Sequence, residues 1–130
     1  MIFKNSDHES NYKKFCDKMQ YLDCYHRMAA YLLALDTVCS SHAACLFNFQ
    51  RDEINPCAIN EHWQTGNSLK TTRLLFNLWN GIVTDGFEDD DGSNSLHPTF
   101  WTPSEIFSGE LGFFYLEAVR IRFDMPQETD

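Results

Sequence analysis

Apolar residues recur at helical spacing along most of the chain. Ser6 and Glu9 fit an S-x-x-E capping box, and Tyr12, Phe15, Cys16, Met19 and Leu22 follow at intervals of three and four. This predicts a first amphipathic helix whose lysines face water. Asp23 caps a second helix running to about Val38. Tyr25, Met28, Ala29, Leu32 and Leu35 form one of its faces, and Tyr31, Leu33 and Ala34 cover much of another. A helix so apolar belongs in the middle of the fold. The next stretch, SSHAACLFNF, starts with capping residues and ends in aromatic alternation. Its periodicity fits either a continuing helix or a short strand.

Asn55-Pro56 predicts a short helical segment that reaches Trp63, since proline suits the first helical position. Thr65, Gly66 and Asn67 break it, and Ser68 caps a further helix that stops at Gly81. Thr102-Pro103-Ser104-Glu105 is another capping box. The closing FFYLEAVRIRF fits a helix or an alternating strand and is read as a helix. These elements add up to a mainly α, compact single domain, residues 1–130, of about five helices, with room for one short β element near Leu46 to Phe49.

The stretch from Trp63 to Asn80 carries the candidate chemistry. Arg73, Asn77 and Asn80 recur at i, i+4 and i+7 and share one face, while Leu69, Leu74, Leu75, Phe76, Leu78 and Trp79 occupy the rest. Asparagine is a poor residue for a helix interior, so two of them on a narrow polar line point to specific hydrogen bonding. One reading makes the region a ligand site. Trp63 stacks, Gln64, Thr65 and Ser68 donate and accept hydrogen bonds, Arg73 pairs with an anion, and Asn77 and Asn80 orient it. The other makes it internal bracing, with Trp63 a core anchor, Ser68 an N-cap and Arg73 tied to a carboxylate such as Glu117.

Charge and cysteine content narrow the classes. A net charge of −9 opposes attraction to nucleic acid, and much of it falls between Asp85 and Asp91, within an acidic, flexible loop expected at 85–97. Five cysteines, odd in number and without a CxxC pair, indicate reduced thiols and a cytoplasmic setting. The N-terminus turns polar too early for a signal peptide, and MAAYLLAL is far shorter than the roughly 20 residues of a membrane span. Cys39, His42 and Cys45 are metal-binding types, but positions six apart on a helix lie about 120° apart around its axis. Asp89 to Gly92 lack a calcium-loop register, and no nucleophile or dinucleotide motif occurs. Asp23, His26 and Arg27 on one helical turn are the remaining acid–base candidates, against a plain capping role for Asp23. No metal or cofactor is expected. Eleven Phe and three Trp in so short a chain suit a helix-packed homodimer.

W-Q-T-x-x-S at Trp63 to Ser68 and F-N-L-W-N-G at Phe76 to Gly81 are the most specific parts of a resemblance that covers most of the chain. With the opening MIFKNSDHESNYKKF and the later TPSEIFSGELGFFYLEAVRIRF, the chain resembles an uncharacterised family of short proteins from Gram-positive bacteria and their phages or mobile elements. The resemblance implies no activity. Small acidic proteins of that kind often block host defence, by binding an immune protein or sequestering a nucleotide signal. The expectation is therefore a non-enzymatic intracellular binding protein of the bacterial host cytoplasm, a counter-defence factor that sequesters a nucleotide-like or other anionic ligand. The alternative is an acidic, anti-CRISPR-like inhibitor that imitates nucleic acid on a host immune effector.

Overall fold

Cys24–Leu35 (α2) lies at the centre of the computed structural model, which describes residues 1–84 and 101–126. Met28, Ala29, Ala30, Tyr31, Leu32 and Leu33 on this helix expose no surface at all. Three further helices of three or more turns pack around it: Ser6–Lys18 (α1), Gly66–Asn80 (α5) and Gly112–Arg122 (α7). The centrality follows from sequence, because a helix apolar on both faces gains about 1.5–3 kcal/mol for each large side chain it buries. The domain is mainly helical and compact. Its seven α-helices among the described residues exceed the expected five because two short ones split off what reads as continuous helix.

The first split comes at Asp36. α2 ends at Leu35, not near Val38, since Asp36 is extended and its carboxylate accepts the backbone N–H of Cys39 at 3.1 Å. That capping starts Thr37–Ser41 (α3), followed by Ala43–Leu46 (α4). SSHAACLFNF is thus helix and strand in succession. Phe47–Asn48 (β1) pairs antiparallel with Glu53–Ile54 (β2), Phe47 opposite Ile54 and Asn48 opposite Glu53. A single 3-10 turn, Pro56–Asn60, follows and stops before Trp63.

Two predicted caps shift. Instead of Ser6, Asn5 caps α1, its Oδ1 accepting the His8 backbone N–H at 2.8 Å. α5 begins three residues earlier than Ser68 predicts. Thr65 is the cap, and Ser68 sits at the third helical position, where its hydroxyl accepts the Thr65 N–H at 2.7 Å while Thr65 Oγ1 accepts the Ser68 N–H at 3.1 Å. Gly66 and Asn67, expected to interrupt the helical segments, form the first turn of α5. The stop at Gly81 is as predicted, with φ at +81°, a left-handed conformation that glycine adopts without strain. Thr102 caps the four-residue Pro103–Ile106 (α6), and FFYLEAVRIRF lies in helix α7 and its cap. The acidic loop at 85–97 lies outside the described residues. Among those described, no helix is long and apolar enough to cross a membrane.

Candidate ligand cleft

The residues singled out between Trp63 and Asn80 divide along α5. At its start they bond to one another. Gln64 Nε2 donates to Ala58 O and Thr72 Oγ1, both at 3.1 Å, and Gln64 Oε1 accepts Ser68 Oγ–H at 2.6 Å. Ser68 is fully buried, and its carbonyl accepts from Thr72 Oγ1 at 2.8 Å and from the Cys39 thiol at 3.6 Å. One face of Trp63 is covered by the His42 ring, nearly parallel at 7° and 4.0 Å away. Thr65 Oγ1 is committed to its cap. These side chains hold the 3-10 turn, α3 and α5 together.

Midway along, Arg73 is only 8% exposed, and its Nη1 donates to Glu105 Oε1 at 2.8 Å. The brace thus runs to α6, not to Glu117. Glu117, itself buried, accepts from the Ile2 N–H at 2.8 Å and from Arg120 Nη1 at 2.7 Å. Asn77 Nδ2 donates to Ile82 O at 2.9 Å and tightens the turn after Gly81. Asn80, one turn further, is exposed and makes no side-chain hydrogen bond among the described residues.

Beyond Asn80 opens a cleft of about 550 Å³ between the end of α5 and the hairpin of β1 and β2, within the range of small-ligand sites of roughly 300–1,000 Å³. Trp79 and Asn80 form one wall, Asn48, Arg51 and Glu53 the other, and Asn55 with Pro56 close an end. Tight turn chemistry builds the hairpin wall. Asn48 Oδ1 accepts the backbone N–H groups of Gln50 and Arg51 at 3.0 and 2.9 Å, and Asp52 takes a left-handed φ of +59°. These bonds leave the Asn48 NH₂ unspent. Asn55 donates to Cys45 O at 3.1 Å and keeps its carbonyl oxygen. Trp79 is held by Phe47, His26 and Tyr25, whose rings meet it at 82–83°, and its indole N–H has no acceptor among the described residues. Arg51 reaches Glu53 only at 4.0 Å and stays largely in water. The cleft therefore offers free amide donors and acceptors, an aromatic wall and a guanidinium loosely paired with the Glu53 carboxylate.

Beside it, His26 is buried and clasped on both sides. Nδ1 lies 2.6 Å from Asp23 Oδ1 and Nε2 lies 2.6 Å from Asp52 Oδ1. Burial works against its charge, but the hydrogen bonds and charges of Asp23 and Asp52 prevail and raise its pKa above the usual 6.5. Asp23 is also the N-cap of α2, accepting the His26 N–H at 3.0 Å. The Asp23–His26 turn is visible in the sequence; its tie to Asp52, which anchors the cleft's hairpin, is not. Of the metal-binding types, Cys39 is buried and its thiol pushed up by burial, while His42 is spent on Trp63. Among the described residues no cluster of three or more His, Cys, Asp or Glu could hold a metal ion. Asp89 to Gly92 lie outside them.

The chain belongs to a family of unknown function, DUF6075, whose model matches residues 1–130. No curated protein and no solved structure matches it.

Proposed function

We propose that this is a non-enzymatic binding protein that holds a nucleotide-like or other anionic small ligand in the cleft at the end of α5. The observation that carries the reading is the convergence of unspent hydrogen-bonding groups on one concave surface: the amides of Asn48, Asn55 and Asn80, beside Trp79 and the loosely held Arg51. Amides that both donate and accept suit the edge of a nucleobase, an indole suits its face, and a guanidinium suits phosphate or carboxylate. Of the residues expected from sequence, Asn80 belongs to this site. Gln64, Thr65, Ser68, Arg73 and Asn77 act as its scaffold, and Trp63 anchors the helix start. The role that fits such a protein is sequestration, withdrawing a signal nucleotide from a host immune protein.

Thermal-shift titration against cyclic and ADP-ribose-type nucleotides tests this. At least one raises the melting temperature of the wild type, and the rise is lost in Arg51→Ala and Asn80→Ala, whose free forms melt as the wild type does. If no nucleotide stabilises the protein, or if both variants respond in full, the reading fails.

A further inference from the structure

The outward side of α7 is apolar, where the exposed face of a helix is ordinarily polar. Phe113 is 62% exposed, Leu116 53% and Phe123, in the cap, 56%. With Arg120 between the last two, they fall at intervals of three, four and three, the a and d spacing of a helix-pairing seam. Both rings are held by neighbours. Phe113 meets Phe114 edge-on at 5.4 Å, and the Arg122 guanidinium lies 4.7 Å over the Phe123 ring and 3.6 Å over Tyr25. Side chains fixed before a partner arrives lose little freedom on binding. Arg120 Nη1 donates to Glu117 at 2.7 Å, so its charge is met within the helix and its aliphatic stem is left along the seam.

We propose that a second copy of this chain docks on the seam, α7 against α7, antiparallel about a two-fold axis. The spacing selects that occupant. An axis beside Ala118 exchanges Phe113 with Phe123 and Leu116 with Arg120, so the seam maps onto itself. Each phenylalanine then meets a phenylalanine, and each leucine meets the stem of an arginine. A parallel pair would instead set Arg120 against Arg120. Antiparallel helices also bring opposite dipole ends together. Two chains of net charge −9 repel, so their contact must keep carboxylates apart, and α7 does: its one carboxylate, Glu117, is 3% exposed and paired with Arg120. An aromatic side chain covers about 150–250 Å², so the exposed parts of the two rings and Leu116 come to on the order of 300 Å² per copy. A standard interface takes about 800 Å² per partner. The seam is thus the apolar centre of a small interface, and the dimer is reversible, with a Kd in the micromolar range. It shares no residue with the cleft at the end of α5 and stands independently of the function proposed for that cleft.

Sedimentation equilibrium of the whole chain tests this from about 1 μM to 1 mM, a range that brackets a micromolar Kd. The average mass rises with concentration from 15.2 kDa towards twice that value. Phe113→Glu and Phe123→Lys each raise the Kd at least about tenfold, since an aromatic contact is lost twice per dimer. Both side chains are exposed, so each variant, when dilute, melts as the wild type does. An equimolar mixture of the two variants dimerises again: at one end the introduced carboxylate meets the introduced ammonium, and at the other the native rings meet. A wild type that stays at 15.2 kDa throughout overturns the proposal, whatever else covers the seam. Undiminished dimerisation of either variant alone does the same, and a mixture that remains monomeric overturns the antiparallel arrangement. Should a variant fail to fold, dilution of the wild type followed by NMR decides: amide resonances of residues 113–123 move with concentration, and stationary ones overturn the interface.

Discussion

His26 can satisfy both of its carboxylate partners only as an imidazolium, because ionised Asp23 and Asp52 accept hydrogen bonds and cannot donate them. Its raised pKa carries a definite sign. The stability it contributes is complete below the unfolded value of 6.5 and is lost as pH rises through the higher folded value. His8 acts oppositely. It is buried with Nδ1 accepting the Lys4 N–H and Nε2–H donating to Tyr31 O, so it is neutral. Burial lowers its pKa, and its contribution is present above 6.5 and lost as pH falls through the folded value. Asp23, whose pKa is lowered by its bonds to His26 despite burial, adds to the acid loss only below its ordinary 3.8. A melting temperature that peaks near neutral pH is therefore expected. His26→Gln flattens the alkaline side and His8→Gln flattens the side just below pH 6.5. Equal slopes above neutral in the wild type and His26→Gln, measured by circular dichroism, would remove the imidazolium from the account.

At the scale of elements, two junctions depend on single residues. A methyl group on Gly112 would lie 2.8 Å from Phe107 O, so Gly112→Ala forces α6 and the start of α7 apart and costs about 1–3 kcal/mol in denaturant unfolding. Arg73→Ala removes the tie from α5 to α6 and costs about 2 kcal/mol, the worth of a charge-assisted hydrogen bond. A variant with unchanged stability would mean that the ion pair with Glu105 does not hold α6 to α5. Sequence showed the body of α2, whose apolar positions repeat at helical period, but not its end at Leu35, and it read α7 as a helix from a segment whose apolar residues fit a strand as well. It misplaced the start of α5 because Thr65 and Ser68 are both capping types, and only the geometry of their reciprocal bonds decides which one caps. It left Ser40 to Phe49 open because the break at Asp36 rests on a side-chain cap and the strand on a partner at Glu53–Ile54. In the candidate cleft, Asn80 was legible from its place on the polar line of α5. Asn48, Arg51 and Asn55 were not, because a tight turn has no period and its asparagines carry no mark of which amide atoms the backbone leaves unspent.

Across the whole molecule, α2 joins parts with different stabilities. Its middle is the fully buried core, while its first turn reaches outward through Asp23 and His26 to the hairpin that walls the cleft. Three apolar side chains anchor that hairpin, Phe47 and Ile54 pointing inward and Phe49 stacked on Phe15 at 6.1 Å, and the turn itself is tied to the body by His26 with Asp52 and by Gln20, whose Nε2 donates to Phe49 O and Gln50 O. Segments held mainly by polar bonds at the surface open with less free energy than the core does. Asp52→Asn removes one side of the His26 clasp without touching a core contact. It should speed amide hydrogen exchange in residues 48–54 while leaving residues 28–35 as protected as in the wild type, and it should weaken any ligand held by Arg51 and Asn48. Leu33→Ala opens a cavity in the core and costs about 2–5 kcal/mol, so it should speed exchange of the slowest amides throughout. The contrast between the two variants is the measurement. If Asp52→Asn accelerates the core as much as the hairpin, the cleft wall unfolds only with the whole domain.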